Sequence, residues 1–236
     1  IENMRRQGYE MQVSKPEVIV KEIDGVLCEP YEDLQLEVPE ENVGSVIEAL
    51  GTRGAEMIQM TNHQNQVRLN YSIPSRGLIG FMTDYMTMTK GYGIINHTFN
   101  SYKPMADAVV GERKLGVLVS MENGKASAYG LGQLEDRGVM FIEPGCEVYE
   151  GMIVGENNRE NDLAVNVVKQ KQQTNTRSAG KDHTVVLKRP RKLSLEVCLD
   201  YINSDELVEV TPENFRMRKK ILNTEERKKF DARKNS

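Results

Sequence analysis

The sequence predicts an α+β fold, in which a ferredoxin-like βαββαβ domain precedes a β-rich C-terminal domain with short helices. Two observations lead to this prediction. Between residues 29 and 104, apolar residues alternate or recur at helical spacing in the order β-α-β-β-α-β. Beyond Pro104, short apolar runs separated by turn residues replace that pattern, as is typical of a small β-rich domain.

The N-terminal part yields its elements in order. Gly8 is predicted to end a helix, because glycine accepts the positive φ of a helix C-terminus. A strand is predicted after it. Leu34, Leu36 and Val38 alternate, which predicts a strand, and Val43 opens an amphipathic helix that Gly51 or Gly54 would end. The remaining elements of the βαββαβ pattern are two strands at 55–65 and 66–74, a Met-rich helix at 78–93 and a strand at 94–104.

The C-terminal part contains two turn signals, Asn123-Gly124 and Pro144-Gly145, each between apolar runs, and each predicts a β-hairpin. Strands are expected at 162–169 and at 184–187. Residues 193–202 fit a helix or a strand equally well by periodicity, and Ser194 as a helix cap favours the helix. Asn223, with Glu226 three residues later, predicts the start of a short basic helix.

Charge is unevenly distributed along the chain. Residues 161–236 hold 17 Lys or Arg against 11 Asp or Glu, and the remaining 14 and 24 lie in residues 1–160. Residues 169–192 alone hold eight basic residues and one acidic residue. This stretch, hereafter the basic segment, is interspersed with Gln, Asn and Thr, and cations with such neighbours suit RNA phosphates, sugars and bases. A solvated loop is the alternative.

No enzyme active site can be assembled from the residues. A P-loop is absent, the three His lie far apart at 63, 97 and 183, and no Ser has a nearby His. The acidic stretch at 155–163 does not follow a calcium-binding pattern. We therefore expect no catalytic, cofactor-binding or metal-binding residues in this chain.

Three Cys at widely spaced positions suggest reduced thiols rather than a disulfide framework or a zinc site. No apolar run approaches the roughly 20 residues that span a bilayer. A cytoplasmic protein without membrane contact is the expectation.

Several segments together resemble the TypA/BipA family of ribosome-associated translational GTPases, which are similar to elongation factor G. They include "EPYEDLQLEVPEE", "SIPSRGLIGF", "YEGMIVGENNRENDLAVNVVKQKQQTNTRSAG" and "DELVEVTPENFRMRK". The resemblance covers essentially the whole chain. It implies that residues 1–20 end a preceding α/β domain, 21–104 form the equivalent of elongation factor G domain V, and 105–236 form the family's own C-terminal domain.

The resemblance also implies a fragment that lacks a GTPase domain, so GTP and Mg would bind outside this chain and the fragment itself would not be an enzyme. In the family, the C-terminal domain contacts 23S rRNA of the large subunit and the acceptor end of A-site tRNA, and it regulates translation or ribosome assembly under stress. The expected partners are thus the ribosome, large-subunit rRNA and tRNA, with the protein as a monomer. A protein-interaction module without direct RNA contact is the alternative function.

The family's contact loop matches Lys171 to Asp182. This sequence departs from the family pattern "TNMRASG" at Thr176 and at Ser178-Ala179, and it keeps the Arg and the Gly. Charge and resemblance together predict the following RNA-contacting residues: Lys169, Lys171, Gln173, Thr174, Asn175, Arg177, Ser178, Gly180, Lys181, Lys188 and Arg189.

Overall fold

The computed structural model describes residues 1–63, 65–106, 112–170 and 187–234, with Lys234 described by its backbone alone. Two compact units emerge: a central unit of residues 16–112, and a terminal unit of residues 1–15 together with 113–236. The chain begins in the terminal unit with α1 (Glu2–Arg6) and β1 (Met11–Ser14). The domain boundaries implied by the resemblance, near residues 20 and 104, stay predictions.

The central unit has the predicted βαββαβ order, preceded by one short strand. Its elements are β2 (Lys21–Ile23), β3 (Val26–Pro39), α2 (Val43–Gly51), β4 (Glu56–His63), β5 (Gln66–Pro74), α3 (Ser75–Leu78), α4 (Phe81–Met88) and β6 (Ile94–Pro104). The four long strands form an antiparallel sheet in the order β4-β5-β3-β6, and β2 pairs with the start of β3. This is the ferredoxin-like arrangement, and the prediction is confirmed.

One buried cluster joins this sheet to its helices. Alternate residues of β3, among them Leu34 and Leu36, point to the same face as those of β5 because side chains alternate along a strand. Val46 and Leu50 of α2 pack onto that face at helical spacing, together with the aromatic rings of α4.

The terminal unit is richer in strands. Its further elements are β7 (Val117–Ser120), β8 (Gly124–Lys125), α5 (Ala128–Gly132), β9 (Gly138–Met140), β10 (Glu147–Val148), β11 (Met152–Asn157), β12 (Leu163–Val165), α6 (Leu195–Tyr201), β13 (Glu206–Val210), β14 (Phe215–Lys219) and α7 (Thr224–Lys234). The main sheet runs β1-β13-β14-β11-β7-β12, with β9 beside β11. The start of the chain therefore completes this sheet, because β1 pairs antiparallel with β13.

Both faces of the main sheet are covered around β7. Leu118 belongs to one buried cluster, which includes residues of α5 and β9, whereas Val117 and Val119 belong to a second cluster that includes α6. Such alternation places the two clusters on opposite faces of the sheet. All four residues of β7 are accordingly buried.

Both hairpin predictions in the terminal unit are wrong. The run before Asn123 pairs with β11 and β12, and the run after it contributes only β8, which pairs with β10. Around Pro144-Gly145, β9 pairs with β11 rather than with β10. The physical reason is that β7 is fully buried and pairs with the apolar strands β11 and β12, whereas the segment after Gly124 supplies only the two-residue Gly-Lys strand β8.

Other predictions in this unit have mixed outcomes. Residues 195–201 are helical, and the Ser194 hydroxyl accepts a hydrogen bond from the Val197 amide as predicted. Asn223 likewise caps α7 by accepting from the amides of Glu225 and Glu226. The strand predicted at 162–169 covers only residues 163–165, and most of the strand predicted at 184–187 lies outside the described residues.

The three thiols are unpaired, with Cys28 and Cys198 buried and Cys146 half-buried. Among the described residues, no helix is both long enough and apolar enough to cross a membrane.

Candidate nucleic-acid interface

The structure describes the two ends of the basic segment. Lys169 is exposed at the first end, and Lys188 and Arg189 are exposed at the second. The other eight predicted contact residues lie outside the described residues: Lys171, Gln173, Thr174, Asn175, Arg177, Ser178, Gly180 and Lys181. What the structure adds is how the chain enters and leaves this stretch.

The entry is held by polar side chains. The Asn166 carboxamide oxygen accepts hydrogen bonds from the amides of Val168 at 3.0 Å and Lys169 at 2.9 Å, which forms a tight turn after β12. The Ser127 hydroxyl then donates to the carbonyl oxygen of Lys169 at 2.5 Å. The Ser127 amide also donates to the carbonyl oxygen of Val167 at 2.9 Å, so two hydrogen bonds connect Ser127 with the entry.

The exit is held in a similar way. The Lys188 amide donates to a carboxylate oxygen of Glu135 at 2.5 Å. Three residues later, the Arg191 amide donates to the carbonyl oxygen of Met140, and the Arg191 guanidinium lies 3.3 Å from the Glu156 carboxylate. That guanidinium also lies over the Phe141 ring, 5.8 Å from its centroid.

Both ends are fixed to one small part of the terminal unit. Ser127 is the N-cap of α5, and Glu135 follows the same helix within one turn. Val168 and Leu187, at the two ends, pack against the same buried cluster. A stretch of about 16 residues therefore starts and ends on a rigid support built around α5.

Apart from Arg191, which pairs with Glu156, the cations at the two ends have no carboxylate partner among the described residues. No side-chain hydrogen bond or ion pair within the described ranges involves Lys169, Lys188, Arg189 or Lys192. Exposed cations without partners are available to phosphates, whereas paired ones must first give up a carboxylate.

Sequence reasoning missed Ser127 and Glu135. The signal for Ser127 was a serine directly before a short helical run, which is a helix N-cap pattern. The hairpin expected at Asn123-Gly124 hid it, because that interpretation placed residues 125–132 in a strand. No local signal points to Glu135, since its partner lies 53 residues away.

Arg76 lies in the "PSRG" stretch of the central unit, where the sequence allows RNA contact but favours a structural role in the loop. Its guanidinium lies 2.7 Å from the fully buried Glu29 carboxylate and donates to the carbonyl oxygen of Ala106 at 2.7 Å. This geometry supports the structural role, because the pair ties α3 to the sheet and neutralises a buried carboxylate.

A group of carboxylates in the terminal unit resembles a metal site only at first sight. Asp162, Asp205 and Glu206 lie within 4.8 Å of one another. The Lys219 ammonium stands among them, at 2.5 Å, 2.8 Å and 2.8 Å respectively. Burial by itself lowers the pKa of Lys219, but these three carboxylates outweigh burial and raise it above its ordinary value. The charge that a metal would supply is already present.

Comparison with known proteins places these features in a family. The C-terminal part matches the family model described as TypA/BipA C-terminal domain over residues 115–224. The preceding part matches the model described as Elongation factor G C-terminus over residues 26–113. The two matches follow the central and terminal units closely.

Curated relatives match almost the whole chain. It is 63% identical to a protein of Bacillus subtilis (strain 168) over 99% of this chain and 38% of the relative. It is 50% identical to one of Haemophilus influenzae over 97% of this chain and 37% of the relative, and 49% identical to one of Escherichia coli (strain K12) over 97% and 38%. All three are named "Large ribosomal subunit assembly factor BipA".

The chain thus spans about two fifths of the length of the curated relatives it matches. A solved structure from Thermus thermophilus matches 35% of this chain and 12% of its own at 23% identity, with a TM-score of 0.34, which is too low to carry a structural conclusion. The two family models and the high identity over nearly every residue agree: the chain belongs to the TypA/BipA family.

Proposed function

We propose that this chain is the ribosome- and RNA-binding part of a translational GTPase that acts in assembly of the large ribosomal subunit. Its partners are large-subunit rRNA and the acceptor end of A-site tRNA, and its role is to regulate translation or ribosome assembly under stress. GTP and Mg would bind elsewhere in the whole protein, which we expect to be monomeric and cytoplasmic. The curated relatives' name supports the ribosomal part of this proposal.

One observation carries the RNA-binding part. The basic segment begins and ends on a rigid support, held by Ser127 at Lys169 and by Glu135 at Lys188. A charged stretch anchored at both ends loses less conformational freedom on binding than a free tail would, so more of its electrostatic attraction appears as affinity.

The proposal is tested by measuring binding to isolated large subunits over a series of salt concentrations. With ~5 phosphate contacts, log K against log[salt] should have a slope of roughly −3.5 to −4.5. Replacing Lys169, Lys171, Arg177 and Lys181 by Ala should weaken binding and flatten the slope, because each lost contact no longer releases counterions.

A control variant separates local contact from overall charge. The control replaces Lys125, Lys220, Lys228 and Lys229 by Ala, which removes an equal number of positive charges from exposed positions elsewhere in the terminal unit. It should keep the wild-type slope. Equal effects of the two variants would indicate non-specific attraction, and a flat wild-type slope would favour the protein-interaction alternative.

A further inference from the structure

We infer that Arg137 and Arg159 form a second phosphate-binding surface for rRNA, beside the exit of the basic segment. This inference rests on the proposed function and deepens it. Neither arginine belongs to the basic segment, and they lie 22 residues apart in sequence. Their proximity comes from the fold.

Backbone hydrogen bonds join the two turns that carry these arginines. The Asn158 amide donates to the carbonyl oxygen of Arg137 at 2.9 Å, and the Asn158 side chain donates to the carbonyl oxygen of Asp136 at 3.2 Å. On the other side, the carbonyl oxygen of Arg159 accepts from the Gly116 amide at 2.8 Å. Both turns are therefore fixed, and the positions at which the two side chains leave the backbone are fixed with them.

Glycines make this close approach possible. A Cβ on Gly138, next to Arg137, would collide with the carbonyl oxygen of Glu156, and a Cβ on Gly116 would collide with the carbonyl oxygen of Asn161. At both glycines the backbone lies against a neighbouring segment without room for a side chain. A surface mounted in this way is preorganised rather than assembled on binding.

The segments that lead into the two turns also touch the exit of the basic segment. Glu135, two residues before Arg137, accepts the hydrogen bond from the Lys188 amide. Glu156, three residues before Arg159, forms the ion pair with Arg191. Arg137 and Arg159 are thus continuous with the exposed cations of the exit, and the carboxylates of Glu135 and Glu156 are already engaged.

The charge state of the two side chains favours an external anion. Both are exposed, and neither guanidinium has a hydrogen-bond or ion-pair partner in the parts of the chain that the structure describes. Other arginines of this unit do have carboxylate partners, such as Arg113 with Glu206 and Arg218 with Glu209. Exposed Asp136 and Glu160 adjoin the two turns, so the surface is only moderately basic and its specificity must come from geometry.

Phosphate is the anion that this arrangement fits. A guanidinium presents planar, paired donors that match two phosphate oxygens, and two of them on rigid turns can hold neighbouring phosphates of one strand. Along a polyanionic backbone, such contacts add affinity without reading sequence. They would fix the orientation of the terminal unit on rRNA while the basic segment makes its own contacts.

The test compares the R137A/R159A variant with wild type for binding to isolated large subunits across salt concentrations. The expected result is a loss of affinity of about tenfold, and a slope of log K against log[salt] smaller in magnitude by ~1.4–1.8, because two phosphate contacts are lost. The K228A/K229A variant is the matched control, since it removes two exposed charges from α7, and it should keep the wild-type slope.

The outcomes separate this inference from the proposed function. Wild-type protein that fails to bind, or binds without salt dependence, overturns both. Wild-type binding with a steep slope that R137A/R159A leaves unchanged overturns the inference alone. A loss seen with intact subunits but not with protein-free large-subunit rRNA assigns the surface to an acidic ribosomal protein and also overturns it. The variant should keep the wild-type melting temperature, because neither side chain has a partner within the described residues.

Discussion

The Ser127 hydroxyl makes two hydrogen bonds that connect a helix to the basic segment. It accepts from the Gly130 amide at 2.9 Å, as the N-cap of α5, and donates to the carbonyl oxygen of Lys169 at 2.5 Å. A hydroxyl can do both at once, because it has one proton and two lone pairs. The start of α5 and the entry of the basic segment are therefore held by one oxygen atom.

Replacing Ser127 by Ala should lower both stability and ribosome affinity. Loss of an N-cap costs about 1 kcal/mol, and loss of the bond to Lys169 releases the entry of the basic segment. Ser194→Ala is the control, because Ser194 caps α6 and has no contact with that segment among its hydrogen bonds. Both variants should lose stability in chemical denaturation, and only Ser127→Ala should bind large subunits more weakly. Equal affinities would contradict the coupling.

Glu135 offers a test in which positioning and electrostatics predict opposite signs. Removing an acidic side chain near a polyanion-binding surface should strengthen binding if overall charge alone matters. Because the Glu135 carboxylate accepts from the Lys188 amide, we expect Glu135→Ala to weaken binding instead. Glu135→Gln keeps an acceptor oxygen and should restore most of the affinity.

The control for this prediction is Glu143→Ala, which removes an exposed carboxylate outside the two ends of the basic segment. It should leave binding unchanged or slightly tighter. If Glu135→Ala also tightens binding, the hydrogen bond to Lys188 has no positioning role, and the exit of the basic segment is held by Arg191 and Leu187 alone.

The sequence predicted elements that depend on local patterns correctly, and it failed where strand pairing depends on residues far apart in the chain. The βαββαβ order was readable because each element carries its own periodicity, as in the alternation of Leu34, Leu36 and Val38. The hairpin at Asn123-Gly124 failed because a turn signal cannot say which strand a buried neighbour prefers, and β7 pairs with β11 and β12 instead. Turn chemistry is local, whereas partner choice depends on burial across the whole sheet.

The candidate site divides in the same way. Charge density alone marks Lys169, Lys188 and Arg189 as candidates, and their contact with RNA stays a prediction. Ser127, Glu135 and the two arginines of the proposed second surface could not be found in this way, because each has its relevant partner or neighbour far away in the sequence. Ser127 and Lys169 illustrate the point, since they lie 42 positions apart and neither segment contains a signal that predicts contact with the other.

Glu206 should dominate the pH dependence of the terminal unit's stability. Its fully buried carboxylate contacts the Arg113 guanidinium at 2.9 and 3.1 Å and the Lys219 ammonium at 2.8 Å. Burial alone would raise the pKa of Glu206, but the hydrogen bonds from Arg113 and the two positive charges outweigh it and lower the pKa below its usual 4.5. A lowered pKa gives stability that is present above the unfolded value and is lost as the pH falls through the folded value.

Glu206→Gln should therefore destabilise the protein by about 3 kcal/mol near neutral pH, because it takes the carboxylate partner from the half-buried Arg113 and one of three carboxylates from the buried Lys219. The difference from wild type should stay constant from about pH 6 to 8 and shrink below about pH 4, where the wild-type carboxylate also becomes neutral. Denaturant unfolding at several pH values measures it, with Glu213→Gln as an exposed control. A difference that grows at acid pH would show that Glu206 is not held ionised.

Tyr85 should govern the alkaline limit of the central unit. Its fully buried hydroxyl donates to the carbonyl oxygen of Glu37 at 2.8 Å, with that of Ile94 at 3.2 Å as a second acceptor. Burial, with a smaller contribution from the charge of Glu37, raises the pKa of Tyr85 to about 12. The neutral phenol is favoured in the folded state, so its contribution to stability is complete below about pH 10 and is lost as the pH rises toward 12.

Tyr85→Phe should cost about 1 kcal/mol at neutral pH, the usual net worth of one buried hydrogen bond. Above about pH 10 the wild type should lose stability faster than the variant, because only the wild type must keep a buried phenol from ionising, and the two unfolding curves should converge. Tyr92→Phe, at a side chain that is 74% exposed, should follow the wild type throughout. If wild type and Tyr85→Phe lose stability in parallel as the pH rises, a group other than Tyr85 sets the alkaline limit of the central unit.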